Sequence, residues 1–319
     1  MKKNLSITSA FTQELIECAK KNKKLVVLDA DLADDLNLYS FKDKYPKRFI
    51  QNGIAEQDMV SMAGGLALMG FLPVVNSFAS FLSARANEQI YNNATELTKI
   101  IYINLYSGLI PAGAGKSHQS IRDVSLISSI PNFKIYQPLN YHDTSLILKH
   151  CVFKEKKNCC IRLNIGPALK LIQNLSGIKF EDGKGNEISK GKEIIIFTSG
   201  QYLINEALLT KKMFNKENIN ISIVNLSTLN YFNKHWFKKI LNQKKYIFCI
   251  EDNFKDSGFS NLLLSFLIKN DLVNNKKYFS ISLDNFPECG TINEVLNYHK
   301  LSSNKLYKFI KSKINGKNN

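Results

Sequence analysis

Apolar residues recur along this chain with two periods, and the switching between them predicts its fold. Phe11, Leu15 and Ala19 lie four apart, as one face of a helix requires, with Ser9 placed to cap it. The unbroken apolar run 25–28 then ends on Asp29 and Asp31, as a strand buried on both faces does. The exchange repeats: a helix near 57–69, a strand at 72–75, a helix near 80–93, a strand at 100–105, a helix near 122–129, a strand at 133–136, a helix after His142 and a strand at 159–163. Short apolar strands separated by helices imply a parallel sheet covered on both sides. Residues 174–192 turn polar and rich in Gly and Lys, which reads as a linker. A second alternating unit follows, with strands at 194–197, 221–224, 246–250 and 278–281. The expected fold class is α/β, with two doubly wound domains of mostly parallel sheet at 1–173 and 193–319.

In an open parallel sheet, ligands bind beyond the carboxyl ends of the strands. Three segments of the first unit have that position: 29–35, 76–81 and the Gly-rich loop 106–117.

Composition changes this picture little. A chain of 319 residues suits two domains that each bury a core, and 44% hydrophobic with 22% charged residues is ordinary for globular proteins. No apolar run is long enough to span a bilayer, and residues 1–9 lack the apolar core of a secretory signal, so a cytoplasmic protein is expected. The net charge of +16 raises the question of a nucleic-acid partner. The lysines, however, fall in small groups such as Lys20, Lys21, Lys23 and Lys24, near predicted helix ends where cations offset the helix dipole. No nucleic-acid or membrane partner is expected. The six cysteines show no paired metal-ligand spacing and read as reduced core thiols.

Three stretches carry candidate chemistry. Glu56 stands at a turn ahead of a Gly/Ala-rich helix, where a carboxylate serves either acid–base work or simply the helix dipole. Phe78 and Phe81, at a strand end, suit either a ligand wall or the sheet–helix core. His118 follows the glycine loop 113–117 and is either a helix-entry residue or a substrate contact.

The run Gly53-Ile54-Ala55-Glu56-Gln57 resembles the motif of the thiamine-diphosphate enzymes of the transketolase, deoxyxylulose-phosphate synthase and 2-oxo-acid dehydrogenase beta-subunit group. The segments 76–81 and 113–119 are similar to the pyrimidine-pocket and Gly-Asp-Gly-Pro-Thr-His-Gln segments of transketolases. This resemblance implies that Glu56 hydrogen-bonds N1′ of the cofactor's aminopyrimidine and promotes the imino tautomer that deprotonates the thiazolium. It also implies that Phe81 stacks on that ring, that Phe78 closes one side, and that Ile54 and Asp31 lie on the cofactor side. His118 would meet substrate oxygens and Arg162 a substrate phosphate.

The resemblance covers the family's pyrimidine-binding and C-terminal domains. The Gly-Asp-Gly motif and later Asn that hold Mg²⁺ and the diphosphate do not occur as a pair here. An N-terminal transketolase-like subunit is therefore implied as partner, supplying the metal ligands in a heterotetramer. The family's substrate-facing Asp matches Ala114, a loop Pro matches Lys116, and a third pocket aromatic matches Ala84. Thr8, Asp35 and Tyr106 stand where Arg, Ser and His contact phosphate. The expected activity is transfer of a two-carbon ketol unit from a ketose to an aldose or keto-sugar, free or phosphorylated. The alternatives are a 2-oxo-acid decarboxylating subunit and a catalytically silent interaction subunit.

Overall fold

The computed structural model describes residues 6–166 and 169–316. The first sheet contains β1 (Leu25–Asp29), β2 (Phe49–Gln51), β3 (Leu72–Phe78), β4 (Ile101–Leu105), β5 (Lys134–Tyr136) and β6 (Cys159–Leu163). Its order is β2-β1-β3-β4-β6-β5, and every pairing is parallel. Alternate side chains explain why the strands read as continuous apolar runs. Leu25 and Val27 pack with Phe11, Leu15 and Ile147 on one face, while Val26 and Leu28 pack with Met59, Val60 and Ile90 on the other.

The second sheet contains β7 (Gly185–Ser189), β8 (Ile194–Thr198), β9 (Ile221–Leu226), β10 (Tyr246–Phe254) and β11 (Lys277–Leu283), in the order β11-β10-β8-β9-β7. Only β7 runs antiparallel. It lies inside the stretch 174–192 expected to be a linker. Glycines and charged residues read as loop, yet they are also what an edge strand with one solvated side tolerates.

Two local readings also shift. Ser6, not Ser9, caps the helix Ile7–Lys21, its Oγ accepting from Ser9 N at 3.1 Å. The helix expected near 80–93 is broken into a π-helical turn, Phe81–Arg85, and a helix, Asn87–Thr95. The helix Glu56–Leu68 does pack as closely as its small residues suggest, since a Cβ on Gly64 would stand 2.0 Å from Asn93 Oδ1.

The two sheets share one apolar cluster, in which Tyr102, Phe133 and Ile135 meet Leu229 and Phe232. Backbone bonds from Leu229 N to Ile135 O and from Gln137 N to Ser227 O, each 2.9 Å, stitch β5 to the second unit. Among the described residues, no helix is long and apolar enough to cross a membrane.

Candidate active site

The strand order reverses between β1 and β3, so the loops leaving these strands diverge and open a crevice at their carboxyl ends. β1 ends on the buried Asp29, whose carboxylate accepts from Asn76 Nδ2 at 2.6 Å, Gln51 Nε2 at 2.9 Å and Leu32 N at 3.0 Å. Burial pushes this carboxyl up from its ordinary range, and the hydrogen bonds oppose the shift. Gln51 Oε1 in turn accepts from Asp31 N at 3.0 Å and Gly53 N at 3.1 Å, which ties the β1 loop to the turn before Glu56. Asp31 itself is exposed, with φ of 64°, and Ile54 is 73% exposed beside that turn.

Glu56 is the first residue of the helix Glu56–Leu68, where the dipole favours an anion, and it is only 1% exposed. Its Oε1 accepts from Ser77 Oγ at 2.9 Å and its Oε2 from Arg85 Nη1 at 2.7 Å. Phe78 closes β3 and Phe81 opens the π-helical turn, their ring centroids 5.6 Å apart. The His118 ring meets both edge-on, 5.4 Å from Phe78 and 5.3 Å from Phe81. Its Nδ1 lies 3.0 Å from Ser117 Oγ. Residues 3 and 40 positions beyond Phe78 in sequence thus join it in one aromatic wall.

The loop between β4 and His118 is held from the second domain. Leu109 N donates to Asp252 Oδ2 at 3.2 Å, and Gln119 Nε2 donates to Leu109 O at 3.1 Å and Glu288 O at 3.0 Å. Gly108 makes this approach feasible, having φ of +80° and room for no Cβ beside the Asp252 carboxylate. A cavity of about 540 Å³ opens next to the wall, lined by Ser80, Ala84, Arg85, Lys116, Arg122 and Phe286.

On the substrate side, Arg162 and Tyr106 both have partners within the chain. Arg162 is buried at the domain seam, Nε 2.7 Å from Asp123 Oδ2, Nη2 3.1 Å from Asp123 Oδ1 and 3.8 Å from Asp252 Oδ1, with Nη1 on Gln137 Oε1. Two carboxylates and an amide take up the guanidinium, so it faces protein and not an incoming phosphate. At the end of β4, Tyr106 donates to Asp35 Oδ1 at 3.0 Å, and burial, then this bond, pushes its phenol up to about 12. A neutral phenol on a carboxylate is not a phosphate site.

Sequence reasoning missed Ser77 and Arg85. Ser77 had the signal of lying on the strand whose end carries the aromatics. For metals, one His/carboxylate grouping occurs among the described residues: His150, Glu155 and Asp182. It draws on none of the residues around Glu56, and Tyr136 and Lys134 already engage its carboxylates.

Residues 3–165 match the family described as transketolase, pyrimidine binding domain, and residues 183–306 match transketolase, C-terminal domain. The chain belongs to the transketolase family. Among curated transketolase relatives, one described as a transketolase C-terminal section from Methanocaldococcus jannaschii is 32% identical over 192 residues, 60% of each chain. A 1-deoxy-D-xylulose-5-phosphate synthase from Natranaerobius thermophilus is 27% identical over 313 residues, 98% of this chain and 49% of that one. The chain therefore spans about half to three-fifths of these relatives' length. Two solved structures share the transketolase fold. A split-gene transketolase, titled an inactive beta4 tetramer, superposes with TM-score 0.84 at 24% identity over 97% of this chain and 98% of that one. A transketolase from Campylobacter jejuni superposes with TM-score 0.77 at 19% identity over 97% of this chain and 47% of that one.

Proposed function

We propose that this chain is the pyrimidine-binding subunit of a two-subunit, thiamine-diphosphate-dependent transketolase-like enzyme that moves a two-carbon ketol unit from a ketose to an aldose or keto-sugar. The observation that carries the reading is the buried Glu56 carboxylate, bonded to Ser77 next to Phe78 and to Arg85 over the Phe81 ring, beside the wall that His118 completes. The donor set fits the cofactor's ring, because a buried acceptor beside aromatic faces suits a flat, nitrogen-bearing heterocycle. When bound, thiamine diphosphate supplies a thiazolium that stabilises a carbanion at the transferred unit.

This chain's residues then have separate tasks. Glu56 holds or releases a proton at N1′ of the pyrimidine, and Ser77 fixes its orientation from below. Phe81 and Phe78 exclude water from the ring, while Asp31 and Ile54 border the cofactor side. His118 binds substrate oxygens. Arg162 is left out of the substrate set, and with Tyr106 on Asp35 the acceptor or donor differs from the common pentose and hexose phosphates.

A partner subunit is proposed for Mg²⁺ and the diphosphate. Around the Glu56 helix, Ile54, Met62, Leu68, Met69 and Phe71 are exposed by 38% to 75%, an apolar rim suited to burial in an assembly. A heterotetramer fits, with a pyrimidine-binding domain at 1–173; because β7 pairs with β9, a truncation that keeps the second sheet whole starts before Gly185, within the stretch 174–192, and not at 193. The test is co-purification with an N-terminal transketolase-like chain, then assay with thiamine diphosphate, Mg²⁺ and a panel of ketose donors. An assembly that binds no cofactor or moves no two-carbon unit defeats the reading. Ordinary kinetics with xylulose and ribose phosphates would defeat only its substrate part.

A further inference from the structure

The Arg85 side chain does two things at once. Its guanidinium carbon stands 4.2 Å over the centre of the Phe81 ring, and its Nη1 donates to Glu56 Oε2 at 2.7 Å. A flat, nitrogen-rich group that covers Phe81 and donates to the buried carboxylate makes the same two contacts that the proposed function asks of the aminopyrimidine. We infer that Arg85 is an internal stand-in for the cofactor ring, satisfying Glu56 until the cofactor arrives and withdrawing for it to load. This inference rests on the functional reading above.

Three observations support it. Glu56 is buried, and a buried carboxylate left with only the Ser77 hydroxyl would be costly, so a second donor is needed in the chain by itself. The arginine side chain is 44% exposed, so it is not locked in place as Arg162 is at 2%. It also ends a π-helical turn, an irregular element that recurs at functional sites, and it borders the cavity of about 540 Å³ that gives it somewhere to go. Lys116 and Arg122 line the same cavity, so withdrawal brings like charges nearer and the stand-in position is favoured at rest.

Competition of this kind lowers cofactor affinity by the fraction of chains in which the site is open. In the reconstituted assembly, titration of thiamine diphosphate with Mg²⁺, followed by calorimetry, should give about tenfold tighter binding for Arg85→Met than for wild type. Arg85→Gln keeps one amide donor and should gain less, and stopped-flow mixing should show faster cofactor association for both variants. Thermal unfolding of each full-length variant checks that the fold is intact. If wild type binds the cofactor and neither variant gains affinity, Arg85 is an ordinary ion-pair partner and the stand-in is overturned. If neither wild type nor variants bind it, the functional reading falls and the stand-in with it.

Discussion

Each of the two domains buries a glutamate, Glu56 at a helix start and Glu251 within β10, and the two are used differently. Glu56 keeps one oxygen on a half-exposed arginine beside an aromatic wall. Glu251, on β10, is enclosed by its own domain: Ser260 Oγ and Ser282 Oγ both donate to its Oε1, and its Oε2 is buried without a hydrogen-bond partner. Burial pushes Glu251 up to about 7, with those donors resisting the shift. A Cβ on Gly258 would collide with its carboxylate, so the domain's own backbone packs directly against it. Burial of a glutamate carboxylate is thus shared by both domains. What distinguishes the candidate site is a donor that is free to leave.

This contrast is breakable by substitution, and the largest effect is expected at Glu56. Glu56→Gln should lower turnover of the reconstituted assembly by about 10²–10⁴-fold while leaving the unfolding midpoint near that of wild type. Equal losses of activity and stability would erase the distinction from Glu251. At the seam between the two regions, Arg162→Met leaves Asp123 and Asp252 buried without their counter-charge, and chemical denaturation should show a loss of about 3–5 kcal/mol.

Glu251 should matter through pH alone. Its folded-state value lies above its ordinary 4.5, so the folded chain binds the proton more tightly. That contribution to stability is complete below pH 4.5 and is lost as pH rises through about 7. Glu251→Gln should therefore flatten the decline between those limits, by up to about 1.4 kcal/mol per pH unit, with turnover retained. Urea melts across that range measure it, and an unchanged slope would show that the group is not the one titrating. Smallest is Gly64→Ala, where the new Cβ meets Asn93 and should cost about 1–3 kcal/mol of stability.

Much of the first crevice was legible in the chain because strand ends are marked where an apolar run stops. Glu56, Phe78, Phe81 and His118 converge as that pattern and the resemblance suggested. Arg85 was not legible, since its bond to Glu56 spans 29 positions and a π-helical turn leaves no period to read. The partners of Arg162 were hidden for a related reason. A strand-end arginine looks ready for an anion until the fold brings Asp123 from 39 positions away and Asp252 from the other domain. β7 was hidden because a solvated edge strand and a linker share their composition.

The clamp from Asp252 and Glu288 onto the 106–119 segment has a mechanical consequence. Glu56 is anchored by Ser77, a residue of the first sheet, whereas His118 is followed by Gln119, which the second domain holds through Glu288 O. A small tilt of that domain therefore moves the histidine's reach and leaves the glutamate where it is. Under the function proposed above, substitutions far out on the second sheet should shift what His118 meets while leaving the Glu56 carboxylate in place.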